Sequence, residues 1–151
     1  QSSLTKKYPL LIELLNFEWK EVEYYMMPDE KFPEERTSDF LSDPWVFNPE
    51  SEILTLSYPL HLKNARFISI SDEGQYFCLI FRQPKTFKVK FLNLSPFFAW
   101  LIATMQTEPI SVDELSPVIK KEFGITDVQQ FKQNIEPFYK KLCLDGMILS
   151  S

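Results

Sequence analysis

The spacing of hydrophobic residues changes period twice along the 151-residue chain. Leu11, Leu14, Leu15, Trp19, Val22 and Met26 recur at three- and four-residue intervals, while Glu13, Glu18, Lys20, Glu21 and Glu23 take most of the positions between them. That period predicts an amphipathic helix packed along its apolar stripe. Pro9 suits its first turn and Pro28 its stop. Between Pro28 and Pro49, Pro33 and Pro44 add two more prolines, and apolar anchors such as Phe32, Phe40, Leu41, Trp45 and Phe47 are scattered. An irregular connector is expected there.

The period then shortens. Leu54, Leu56 and Tyr58 alternate with Thr55 and Ser57, Phe67–Ile70 reads as a short extended segment, and Gln75–Arg82 is almost continuously apolar. Phe87, Val89 and Phe91 alternate with Lys88 and Lys90. With turns at 72–74 and 84–86, the order predicts an antiparallel meander. After it the helical period returns. Ser95-Pro96 is a cap followed by a first-turn proline, and Ser111 with Glu114 forms a capping box closed by Gly124. A third helix opens near Thr126 or Asp127 and stops at Gly146, with Pro137 expected to kink or split it. Met147–Leu149 could return as a short strand. The expected class is α+β: an N-terminal helix and connector over 1–49, an antiparallel sheet over 50–94, and a winged-helix-like three-helix module over 95–151, together one compact unit.

Charge sharpens this division. Residues 1–60 carry a formal −7, residues 61–107 carry +4 and residues 108–151 carry −2, giving the overall −5. No acid falls between Gly74 and Thr107, so Arg82, Lys85, Lys88 and Lys90 form a basic hairpin. Two readings fit: lysines guarding an edge strand against aggregation, or a positive sheet edge that receives an acidic extended peptide by strand addition. Three glycines leave no phosphate-cradling loop. Two cysteines form neither a disulfide framework nor a metal cluster, and no apolar run spans a membrane. The chain therefore reads as soluble and cytoplasmic, with no cofactor and no metal. It opens on Gln1 instead of Met, and a preceding segment is expected.

Catalytic chemistry finds little support. His61 is the one histidine, with no nucleophile paired to it by sequence, and Cys78 and Cys143 sit in apolar surroundings that keep a thiol inert. The acids of the first helix read as a solvated face. DNA binding is disfavoured for this fragment, because Lys132, Lys140 and Lys141 of the third helix are offset by Asp127, Glu136 and Asp145, with no arginine to read bases.

Certain segments resemble a known family. Residues 8–23 (YPLLIELLNFEWKEVE), 48–61 (NPESEILTLSYPLH), 79–83 (LIFRQ) and the Leu94-Ser-Pro96 helix start are similar to motifs of the HvfC/MbnC type, a family that carries a DNA-binding label. The resemblance implies a non-catalytic partner of multinuclear non-haem iron oxidases. Such a subunit binds the oxidase, which holds the iron, and helps present the leader of a ribosomally made precursor peptide for modification, through a strand-pairing surface. Members typically carry a further helical domain at the N-terminus, the source of the DNA-binding label, so a regulatory or dimerisation half of a DNA-binding protein is the alternative. Of the matching positions, Glu18, Trp19, Tyr58 and Pro59 are expected to support the fold, for example through a Glu18–Arg82 bond. His61, Arg82, Lys85, Lys88 and Lys90 are the candidate peptide or partner contacts.

Overall fold

The structure is a computed structural model that describes residues 3–28 and 39–149. The first part of the predicted connector, with Phe32 and Pro33, lies outside the described residues. The class is α+β, with four α-helices and a three-stranded antiparallel sheet among the described residues. Two compact units divide the chain: residues 1–30 with 50–100, and residues 31–49 with 101–151.

In the first unit, α1 (Ser3–Tyr25) packs on a sheet of β1 (Ser51–Leu56), β2 (Tyr76–Arg82) and β3 (Val89–Leu94), ordered β1-β2-β3 with both pairings antiparallel. The meander is thus as the alternation predicts. Leu54 stands opposite Cys78 and Cys78 opposite Asn93, so one face of the sheet carries Leu54, Leu56, Tyr76, Cys78 and Phe91. This face receives Leu10, Leu14 and Phe17 of α1, with the Phe17 and Phe91 rings 4.9 Å apart. β2 is buried on both faces from Cys78 to Arg82, which accounts for its unbroken apolar run.

Three local expectations need correction. Pro9 lies inside α1 instead of in its first turn. Of the anticipated stripe on α1 only Leu14 packs on the sheet, because Leu11, Leu15, Trp19, Val22 and Met26 are exposed and the opposite face, with Phe17 and Tyr24, is buried. Both sides of this helix carry apolar residues at helical spacing, and the sheet selects the side whose aromatic rings reach Phe91 and whose Tyr24 hydroxyl can donate to Glu52 at 3.1 Å. Phe67–Ile70 is not a strand. Two 3₁₀ turns, Ala65–Phe67 and Ile70–Asp72, occupy this stretch because the Asn64 and Asp72 carboxamide and carboxylate oxygens accept backbone amides locally, from Arg66 at 3.0 Å and Ser69 at 3.0 Å.

The helix α2 (Pro96–Thr107) begins in the first unit, where the Ser95 hydroxyl accepts from the Phe98 amide at 3.2 Å. In the second unit, α3 (Val112–Phe123) starts on Ser111, whose hydroxyl accepts from the Glu114 amide at 3.1 Å, and ends on Gly124 at φ 63°. The left-handed backbone there explains why glycine stops it. α4 (Val128–Asp145) starts on Asp127 and ends on Gly146 at φ 82°. Pro137 does not split α4, which runs as one helix. The carbonyl that Pro137 leaves without an amide, four residues earlier at Gln133, is on an exposed residue where water can serve it.

The end of the chain makes a single antiparallel bridge, Phe47 with Ile148, instead of a full strand. Asn48 N donates to Met147 O at 2.7 Å, Leu149 N donates to Val46 O at 2.7 Å, and the buried Asn48 amide donates to Gly146 O at 3.1 Å. Trp45 is buried against the Tyr139 ring at 5.2 Å, with its Nε1 donating to Phe40 O at 2.9 Å.

Candidate functional site

The site is best built from the backbone of β3. Arg82 N donates to Glu50 O at 3.1 Å and Gln83 N donates to Lys88 O at 2.8 Å, which fixes the phase of both ladders. Alternation along an antiparallel pair then turns the amides and carbonyls of Lys88, Lys90 and Leu92 toward β2. Those of Val89, Phe91 and Asn93 point away from the sheet, and among the described residues no strand pairs with them.

A groove of about 610 Å³ runs along this edge. Glu18, Glu21, Val22 and Tyr25 of α1 form one wall, and Lys88, Val89 and Lys90 form the other. Among the described residues, none of Glu18, Glu21, Lys88 and Lys90 is held in an ion pair. The groove is therefore lined by charges of both signs, with Val22 and Tyr25 between them as apolar surface. Basic residues alone, which the sequence suggested, do not describe it.

The opposite edge, on β1, differs. The Glu13 carboxylate accepts from Ser57 N at 2.9 Å and from Tyr58 N at 3.0 Å, tying α1 across the end of that strand. A groove of about 530 Å³ lies beside it, lined by Ile12, Glu13, Phe17, Lys20 and Thr55 among others. Lys20 pairs there with Glu52 at 3.1 Å, and that contact holds the lysine's pKa above its ordinary value. At this edge the lysine is paired and the amides just past the end of β1 are bonded, whereas Ile53 and Thr55, like Val89 and Phe91 on β3, face outward with no strand beside them among the described residues.

The predicted residues separate into distinct places. Lys88, Lys90 and Glu18 meet at the β3 groove. Lys85 is exposed in the turn before β3. Arg82 is buried: its Nη1 lies 3.4 Å from a Glu50 carboxylate oxygen and 3.4 Å from Pro28 O, and its guanidinium stacks 4.8 Å over the Phe87 ring. It joins the chain just after α1, the lead into β1 and the β2–β3 turn, and among the described residues its acidic partner is Glu50, not Glu18. His61 sits at the far end of β3, with Nε2 2.8 Å from the Asn93 side-chain oxygen. Tyr58 and Pro59 are buried, and burial pushes the Tyr58 hydroxyl pKa up. Trp19 is 68% exposed and supports no core.

Glu13, Glu21, Val22, Tyr25 and the free backbone of Val89 and Phe91 were not singled out by the sequence. Glu18 and Glu21, one turn apart, do share a helix face, but no spacing rule says which strand a helix will lie beside. Burial raises the Cys78 thiol to about 12, so it is packing and not a nucleophile at neutral pH. Among the described residues no group of three His, Cys, Asp or Glu side chains could hold a metal ion, and no helix is long and apolar enough to cross a membrane.

Fold and edges together define an α+β module in which the end of β1 is tied to α1 through Glu13 and β3 lies open beside a charged groove. The chain belongs to the HvfC C-terminal domain family, whose sequence model matches residues 48–143. The match takes in the whole sheet and the three helices that follow, up to Cys143, and leaves α1 outside it. No curated protein matches the chain.

Proposed function

We propose that this protein is a non-catalytic accessory subunit that binds an iron-dependent oxidase and presents a ribosomally made precursor peptide to it. The observation that carries the reading is the open backbone of β3 beside its groove. A row of unpaired amides and carbonyls on an edge strand is a template for an extended peptide, whose main chain gains hydrogen bonds and whose alternate side chains meet the flanking walls. Membership of the HvfC C-terminal domain family supports the accessory role. In this reading the iron is the oxidase's, and α2–α4 with the terminal bridge form a winged-helix-like module.

A second surface suits the protein partner. Leu11, Leu15, Trp19 and Met26 form an exposed apolar stripe along α1 and just past its end, with Leu15 67%, Trp19 68% and Met26 74% exposed. Apolar patches of this extent on an exposed helix mark protein–protein contacts, and we assign this one to the oxidase. DNA binding finds no such support. Lys132 pairs with Asp113 at 2.9 Å, Lys140 with Glu136 at 3.0 Å and Lys141 with Asp145 at 3.7 Å, which leaves α4 poor in free positive charge for phosphates.

Copurification with a non-haem iron oxidase of the type this family accompanies, followed by titration with the precursor leader, tests the proposal. A stable complex is expected, with amide exchange slowed at Val89, Phe91 and Asn93 when leader is added. Failure to form any complex with either component would overturn it.

A further inference from the structure

Resting on the strand-addition reading, we infer that the β3 groove selects an extended peptide whose charges alternate residue by residue: acidic side chains on one face, basic side chains on the other. The inference follows from register. Neighbouring residues of a strand point to opposite faces of the sheet, and residues opposite each other on paired strands point to the same face. Val89 and Phe91 share the face that α1 covers, since the Phe91 ring packs on Phe17. Lys88 and Lys90 therefore project from the other face, two residues apart.

A strand added at this edge inherits the same division. Its residues beside Lys88 and Lys90 share their face and meet two unpaired ammonium groups, which favours Asp or Glu at two positions separated by one residue. The intervening residues turn toward α1, where Glu18 and Glu21 stand in the groove wall with Val22 and Tyr25. A lysine or arginine suits that side, because its stem can lie on Val22 and Tyr25 while its charge reaches the carboxylates. The smallest unit that satisfies both walls is acid–base–acid. A uniformly acidic peptide, the partner that the basic hairpin alone would suggest, places like charge against Glu18 and Glu21. A uniformly basic one fails against Lys88 and Lys90.

Two fluorescent peptides of identical composition test this with the full chain: Thr-Val-Glu-Lys-Glu-Lys-Val-Thr, and Thr-Val-Glu-Glu-Lys-Lys-Val-Thr. The second always puts a glutamate or a lysine on the wrong wall, and slipping by one residue does not cure it. The alternating peptide is expected to bind about tenfold more tightly at low salt, from several opposite-charge cross-strand contacts. The difference should shrink at 0.5 M salt. In the Lys88→Glu, Lys90→Glu double variant both walls become acidic, so the alternating peptide should lose its advantage to Thr-Val-Lys-Lys-Lys-Lys-Val-Thr. Equal binding of the two test peptides with slowed exchange at Val89, Phe91 and Asn93 would overturn the charge pattern and leave strand addition standing. An advantage that persists in the double variant would overturn it as well. No binding and no slowed exchange would remove both.

Discussion

Glu13 and Glu18 sit on the same helix and meet different fates. The Glu13 carboxylate accepts two backbone amides at the end of β1, whereas Glu18 is exposed on the groove wall. Hydrogen bonds to a charged group are worth more than neutral ones, so Glu13→Ala should cost about 1–2 kcal/mol in thermal or urea denaturation. Glu18→Ala should stay within about 0.5 kcal/mol. Asp72 makes a pH-dependent contact of the same kind. Its carboxyl is held below the ordinary carboxylate range chiefly by the Ser69 amide, with Lys63 assisting at 3.4 Å. A carboxyl whose folded pKa is depressed contributes stability above its unfolded value, near 3.9, and loses it as pH falls through the folded value. Side-chain NMR of Asp72 should therefore show a midpoint below about 3.9, and Asp72→Asn should remove the acid-induced change in the 69–72 turn. Glu13 occurs on a helix face that the sequence reads as solvated, whereas Asp72 falls in a stretch that it reads as a turn, without the amide that the carboxylate takes. An acceptor for a backbone amide leaves no periodic trace, which is why the caps at Ser95, Ser111 and Asp127, standing at helix starts with known grammar, were legible and Glu13 was not.

At the level of elements, α1 and the β2–β3 turn carry the clearest tests. Phe87 holds a left-handed backbone, φ 58°, while its ring takes the Arg82 guanidinium. A bulky residue there is strained by about 1–3 kcal/mol and persists because the surrounding contacts hold it. Phe87→Ala discards the ring and keeps most of the strain, whereas Phe87→Gly discards both. The glycine variant should therefore be more stable than the alanine variant by about 1 kcal/mol, the reverse of their usual order. Apolar alternation placed Phe87 in the strand, and the ring is the reason that it leaves: it caps a buried cation. For α1, periodicity identified the helix and, Leu14 apart, misassigned its face, since Leu10, Phe17 and Tyr24 repeat as regularly as Leu11, Leu15, Trp19 and Met26. Phe17→Ala should cost about 3 kcal/mol or more as a large core deletion. A Leu15→Ser, Trp19→Ser pair should leave the denaturation midpoint nearly unchanged while weakening association with the partner in pull-down.

Across the whole molecule, neither unit is a continuous stretch of chain. The backbone passes from one to the other after residues 30, 49 and 100. This was invisible in the charge blocks, which divide the chain into three consecutive parts, because contacts such as Asn48 with Met147 and Trp45 with Tyr139 join distant positions whose residue types carry no mark of each other. A fragment ending at Trp100 keeps α1 and all three strands and strips the 39–49 segment of its partners. It should retain strand signal in circular dichroism and bind a hydrophobic dye more strongly than the full chain, as Trp45 becomes uncovered. The same connectivity sets a clock during synthesis. The Asn48 side chain closes on a carbonyl 98 residues later. At about 5–20 residues per second, roughly 5–20 s separate the emergence of Trp45 and Phe47 from that of the segment that shelters them. For that interval two aromatic rings stand unsheltered on the ribosome, and the nascent chain must be guarded there by neighbours, by chaperones or by speed.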